Sequence, residues 1–230
     1  MARIRNNEDY NAKKKQILQN ALNLLAKDGY QKFSINRVIE SSQMTKGAFF
    51  HYYKSKDELV YGLVDLLNTP IVDAISEVAD MKHLNPKEKV LNLFQAAYKA
   101  KDLKNKSIDQ FARLIYLEEN AIILHLLVRD VVQQCTPLFE RVFTEGIEQG
   151  VFKFQHPHGV AFHFLRSILD TNEAIGRAFL ETDPEKINWN ELKQKIEAFE
   201  WLAVNLFDLT ESQSFYGEEV LQMIDARAQA

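Results

Sequence analysis

Between Thr45 and Lys56 the chain reads TKGAFFHYYKSK, which sets short, polar and cationic side chains among aromatics at helical spacing. Lys46 and His51 can donate hydrogen bonds to guanine acceptors, Ala48 can touch a thymine methyl, Gly47 permits close approach, and Tyr52 adds a phenol. Thr45, Lys54 and Lys56 suit phosphate oxygens, contacts that fix register without reading sequence. Ser34 and Arg37, a few residues earlier, are further contact candidates. Chemistry of this kind recognises a polyanion with a readable edge; it makes and breaks no bonds.

The flanking sequence supplies elements that would hold such a face in place. Ile17, Leu18, Ala21, Leu22, Leu24 and Leu25 recur at helical spacing between Tyr10 and Lys27, and Gly29 suits the C-terminal cap of that first helix. Ser34 can cap a second helix with Ile35, Val38 and Ile39 on its inner side. Ser41-Ser42-Gln43 breaks the apolar pattern, and Thr45 can cap a third helix of about two turns ending near Tyr53. Met44, Phe49 and Tyr53 fall broadly on one side of it and are expected in the core. Ser55 and Glu58 form a capping box that opens a fourth helix through Leu67. Two short helices about a tight turn, from Ser34 to Tyr53, match the helix-turn-helix unit.

Gly29-Tyr30, Ser34-Ile35, Val38 and above all TKGAFFHYYKSKDEL from Thr45 to Leu59 closely resemble the N-terminal domain of TetR-family transcriptional repressors. The resemblance covers roughly residues 12 to 60. It implies a homodimer that binds a palindromic double-stranded operator and lets go when a small molecule enters the C-terminal domain. Ile39 stands where the family commonly has a small residue, and Ser42 and Gln43 stand where it has Ala and Gly. Glycine is favoured in that turn because a positive φ costs it little, so Gln43 must adopt that conformation or use a different turn. Phe50 replaces the usual tyrosine and removes a hydroxyl, which Tyr52 is placed to supply.

Charge divides the chain in the same place. Residues 1–56 carry eleven Lys/Arg and four Asp/Glu, a net +7, and within a total of −4 the remainder holds −11. A basic segment on an acidic body fits a protein of which only the first quarter meets nucleic acid. Eight Gly and five Pro in 230 residues disfavour a turn-rich β fold. The expected fold class is therefore all-α, with a three-helix DNA-binding domain over residues 1–56 and a helical ligand-binding and dimerisation domain over residues 57–230. A single cysteine, Cys135, excludes an internal disulfide framework and suits the cytoplasm. MARIRNNEDY has no apolar core after its arginines, and no uninterrupted apolar run approaches the ~18 residues of a bilayer span, so no membrane partner is expected.

Past Leu67 the periodicity predicts a weak helix over Ile71–Met81, one starting at Pro86, one over Ser107–Leu117, and a long segment from Ala121 to Gly150 broken or kinked at Pro137. Val151 to Phe154 reads as a connecting turn. Two ladders follow at steps of three and four: Ala161, Leu165, Ile168, Asn172, Ile175, Phe179, and then Leu192, Ile196, Phe199, Ala203, Leu206. Such spacing suits a shallow-angle helix seam, and the two helices are expected to pair with their symmetry mates. Phe94, Tyr98, Phe111 and Tyr116, with Arg113, His125, Asn172 and Glu173 as oriented polar groups, are candidates to line a pocket for an unknown small-molecule effector. His156-Pro157-His158 with His163 lacks a carboxylate at a clean i+4, so no metal site is expected. No phosphate loop, nucleophile elbow or dinucleotide fingerprint is present, and neither catalysis nor a cofactor is expected. The alternative reading is a helical sensor or adaptor whose hairpin meets a protein partner.

Overall fold

The computed structural model describes residues 2–100, 114–210 and 213–228, apart from the side chains of residues 2–6, 217–219 and 228. Among the described residues the regular structure is helical, with no strand. The α-helices are α1 (Ala2–Asp28), α2 (Ile35–Ser41), α3 (Lys46–Tyr52), α4 (Lys56–Asp80), α5 (Pro86–Ala100), α6 (Ala121–Glu148), α7 (Pro157–Leu180), α8 (Trp189–Phe207) and α9 (Gly217–Ala228). The chain divides into two compact units, the first comprising the described parts of Met1–Thr69 and Lys106–Leu127, the second those of Pro70–Asn105 and Val128–Ala230. The expected boundary at residue 56 coincides with the start of α4, whereas the division by contacts falls inside that helix. Most of the helix expected over Ser107–Leu117 lies outside the described residues.

In the first unit α1 starts at Ala2 rather than near Tyr10 and ends where Gly29 takes φ 74° and donates its N–H to the Leu25 carbonyl. Ile17, Leu18, Ala21, Leu22 and Leu25 of α1, Val38 and Ile39 of α2, Phe49 and Tyr53 around α3, and Leu59, Val60, Leu63 and Val64 of α4 are all buried. Gly62 lets α4 approach closely: a Cβ there would lie 3.1 Å from Leu18 Cδ2 and 3.2 Å from Tyr53 Cε1. Any larger residue would push the tyrosine that anchors the end of α3.

The second unit is built on aromatic packing. Phe139, Phe143, Phe152, Phe164, Phe199, Phe207 and Phe215 are buried in one cluster with Val90, Leu93 and Cys135. Ring centroids lie 5.0 Å apart for Phe164 and Phe207, 5.1 Å for Phe143 and Phe207, and 5.6 Å for Phe164 and Phe199, the range in which edge-to-face and offset pairs are favourable. Phe152, from the connecting turn, lies over Gly146, where a Cβ would fall 2.1 Å from its ring. Lys89 is buried and its ammonium pairs with Glu145 at 2.6 Å, so the charge taken out of water is matched.

Two expected helix breaks are corrected. The segment after Leu67 does not restart at Ile71: α4 runs on through Pro70 to Asp80, and α6 likewise runs through Pro137. A proline removes one helical hydrogen bond, and burial of long apolar faces offsets that loss. Of the two ladders, Ala161, Leu165 and Ile168 of α7 and Leu192, Ile196, Phe199 and Ala203 of α8 are buried within the chain, while Ile175, Phe179 and Leu206 are partly exposed. The large apolar side chains left exposed there are Phe162 on α7 and Trp201 and Leu202 on α8.

The stretches Lys56–Asp80 and Glu118–Glu148 are long and apolar enough, by composition alone, to cross a membrane. In α4, however, Asp65, Asp73 and Glu77 are exposed while Leu59, Leu63, Ile75 and Val78 are buried. That one-sided pattern is what core helices of a water-facing protein carry.

Candidate nucleic-acid interface

The geometry begins with two hydroxyl caps. Ser34 Oγ accepts the N–H of Arg37 at 3.4 Å and Thr45 Oγ1 accepts that of Ala48 at 3.2 Å, so each short helix has one of its unpaired amides satisfied at the start. Each cap uses an oxygen lone pair and leaves the hydroxyl proton available to a phosphate.

Between the caps the chain turns through a Schellman motif. Gln43 takes φ 52°, its N–H donates to the Glu40 carbonyl at 3.1 Å, and the Met44 N–H reaches back to Ile39 at 3.1 Å. The glycine-favoured conformation is thus kept with a glutamine in it, at a cost of about 1 kcal/mol. Asn20 of α1 braces the turn from behind, donating to Ser42 Oγ at 3.1 Å.

Helix α3 then presents two faces. Phe49 and the following Tyr53 are fully buried; the Tyr53 hydroxyl donates to the Lys14 carbonyl at 3.4 Å, and burial, reinforced by Glu58, pushes its pKa up. Thr45, Lys46, Gly47, Ala48 and His51 are exposed, and nothing lies within 4 Å of where a Cβ on Gly47 would sit. Phe50 is half-buried against Phe49. The outer face is therefore small and polar for its first turn and carries an imidazole and a phenol at its end, a shape that enters a major groove about 12 Å wide. After Tyr53, Ser55 Oγ accepts the Glu58 N–H at 3.0 Å, and Glu58 answers by accepting the N–H of Lys54 at 2.6 Å. The capping box is present, with its return bond one residue earlier than the usual partner.

Three cationic candidates make contacts within the protein. Arg37 pairs with Asp28 at 2.7 Å and donates to the Lys32 carbonyl at 3.3 Å, tying α2 to the end of α1. The Lys56 ammonium lies 4.1 Å from the Tyr30 ring centroid and donates to the Phe33 carbonyl at 2.9 Å. Lys54 is exposed at its backbone position, with its ammonium donating to the carbonyl of Phe50. Sequence reasoning missed Tyr10. Its ring stacks on Tyr52 at 4.8 Å and meets His51 edge-on at 5.6 Å. The signal was available, because Tyr10 lies seven residues before Ile17 and so continues the buried stripe of α1.

The effector candidates scatter. Phe111 and Arg113 lie outside the described residues. Tyr116 and His125 belong to the first unit, with His125 exposed. In the second unit Tyr98 is exposed on α5 and Glu173 is paired with Arg177 at 2.8 Å. Among the described candidates Phe94 and Asn172 converge, both on Tyr216: the Phe94 ring is 5.3 Å from it edge-on, and Asn172 Oδ1 accepts its hydroxyl at 3.2 Å. Among the described residues no group of three His, Cys, Asp or Glu side chains is placed to hold a metal.

Residues 17–61 match the family model for bacterial regulatory proteins of the tetR family. The chain is similar to the HTH-type transcriptional regulator PksA of Bacillus subtilis, 28% identical over 85 residues, which is 37% of this chain and 41% of that protein. It is also similar to the HTH-type transcriptional repressor KstR2 of Mycolicibacterium smegmatis, 21% identical over 88% of this chain and 93% of the relative. The match to PksA thus spans less than half of that regulator, while that to KstR2 runs nearly end to end. In fold the chain resembles the crystal structure of a TetR-family transcriptional regulator from Pectobacterium atrosepticum, with a TM-score of 0.61, 16% identity and coverage of 87% and 96% of the two chains.

Proposed function

We propose that the chain is a TetR-family DNA-binding transcriptional regulator, in keeping with its match to that family's model over residues 17–61 and its likeness to KstR2, and that it represses from a palindromic operator, which it binds as a homodimer and leaves when a small molecule enters its second unit. The observation that carries this reading is α3, whose outward residues Lys46, Gly47, Ala48 and His51 are exposed while Phe49 and the following Tyr53 are fully buried. Lys46 and His51 address guanine acceptors and Ala48 a thymine methyl. Thr45 and Lys54, with the amide ends of the helices, address phosphates.

A palindrome requires two such helices about 34–36 Å apart, hence two copies of the chain. Trp201 and Leu202, 65% and 53% exposed on α8, support a dimer surface there, since side chains of this size are ordinarily covered. The effector would meet an aromatic wall near Phe94 with the Asn172 amide to orient it. It must bind the DNA-released state more tightly than the DNA-bound state, because equal affinity shifts nothing. The cytoplasm, where the chromosome lies, is the compartment this reading requires.

The test is a titration of the purified protein with duplexes recovered by selection from genomic fragments, repeated from low to moderate salt. A regulator that neutralises several phosphates loses affinity steeply as salt rises. Failure to bind any duplex at low salt overturns the reading.

A further inference from the structure

We propose that Tyr10 is a positioning residue of the DNA-reading face, a splint from α1 that fixes Tyr52 and His51 in the geometry that meets the operator. The inference rests on the DNA-binding reading and adds to it a residue well outside the helix-turn-helix.

Helix α3 spans only seven residues, and Tyr52 is its last. Terminal residues of so short a helix fray, and an outward tyrosine there has rotamer freedom that must be surrendered on docking. Tyr10 removes that freedom in advance. Its ring lies 4.8 Å from that of Tyr52 at an interplanar angle of 24°, a stack, and 5.6 Å from that of His51 at 89°, an edge contact. His51 and Tyr52 meet each other edge-on at 5.4 Å, which closes a three-ring cluster. The next turn of α1 continues the brace: the Lys14 carbonyl accepts the Tyr53 hydroxyl and the Lys14 ammonium lies 5.2 Å from the Tyr53 ring centroid. Successive turns of α1 therefore hold successive residues at the end of α3.

Tyr10 is the sole aromatic residue before Tyr30, and its neighbours Asn7, Glu8, Asp9, Asn11 and Ala12 are exposed while it is half-buried. What the ring touches is the pair of side chains at the edge of the reading face. Preorganising a contact residue raises affinity by lowering the entropy lost on binding.

The experiment compares wild type, Tyr10→Phe, Tyr10→Ala, Tyr52→Ala and the double variant Tyr10→Ala/Tyr52→Ala. The probes are a selected duplex and a mixed-sequence duplex of equal length, and each protein is also melted. Tyr10→Ala is expected to weaken the selected duplex up to about tenfold, the scale of one aromatic pair, with its salt slope unchanged because no cation is removed. Tyr10→Phe, which keeps the stack, should bind as wild type, and Tyr10→Ala should cost less in the Tyr52→Ala background than in wild type, since only its edge contact with His51 is left to lose. Affinity for the mixed-sequence duplex should hold. Three results overturn the proposal: equal loss in the presence and absence of Tyr52, loss in Tyr10→Phe matching that in Tyr10→Ala, or selected-duplex affinity in Tyr10→Ala equal to wild type. If wild type itself binds neither duplex, the DNA-binding reading fails instead.

Discussion

The backbone N–H of Tyr30 donates to Asn120 Oδ1 across 2.8 Å, joining residues 90 positions apart in the first unit. The same amide donates through Nδ2 to the Leu114 carbonyl at 3.0 Å, and Asn120 is fully buried. The buried Asn120 side chain therefore satisfies one backbone donor and one backbone acceptor at once. Asn120→Leu is expected to lower stability by about 2 kcal/mol, read as a fall in melting temperature, because it orphans both groups. Asn120→Asp keeps the acceptor for Tyr30 and should cost the Leu114 bond.

Gln43 offers a gain. With φ at 52° in an otherwise complete Schellman motif, it is strained by its own Cβ. Gln43→Gly should raise stability by about 1 kcal/mol in denaturant titrations. Its duplex affinity should stay near wild type, since the turn keeps its shape.

Lys46 and Lys56 should separate in the same assays. Lys46 is exposed at the start of α3, whereas the Lys56 ammonium is held over the Tyr30 ring and by the Phe33 carbonyl. Lys46→Ala is expected to weaken the selected duplex by about 1–3 kcal/mol and relax its preference at one base pair without moving the melting temperature. Lys56→Ala should do the reverse, losing about 1 kcal/mol of stability with affinity for the selected duplex unchanged.

Trp201→Asp combined with Leu202→Asp places two charges on the exposed apolar face of α8. Sedimentation at micromolar concentration should find wild type dimeric and the double variant monomeric. The variant should keep its helical circular dichroism and lose tight binding to the selected palindrome.

Cys135 is fully buried, and burial, with Asp130 adding to it, pushes its thiol up to about 12 from 9.0. The native protein should resist alkylation at pH 8.5 and react on unfolding. A raised folded-state pKa contributes stability that is present below pH 9 and lost as pH rises toward about 12, so alkaline denaturation should shift upward in Cys135→Ala.

The helix-turn-helix was legible because its determinants are local. Ser34, Thr45 and Ser55 with Glu58 act within three or four residues of themselves, and the structure uses each of them as a cap. Gly29 ends α1 for the same reason. Helix continuity was not legible at Pro70 and Pro137, where a local rule predicts a break and burial along the flanking turns overrides it. The roles of Arg37 and Lys56 also escaped, since a charge reads the same whether its partner is a phosphate or, as here, Asp28 or the ring of Tyr30. The apolar ladders of α7 and α8 showed that each helix has a buried side without saying which chain supplies the cover.

Gly47 sits in the interior of α3 with open space around its Cα, although the fold would be better served by alanine there by roughly 1 kcal/mol. Folding alone gives no reason for the missing methyl; on the proposed DNA-binding reading, the reason is the operator that docks against it. The position is thus a mould of the partner, and a library of residues at 47 would trace the contour of the operator in negative, each tolerated side chain marking room and each rejected one a wall. It is also the place to begin rewriting which sequence the protein prefers, because side chains added there meet nothing in the unbound protein.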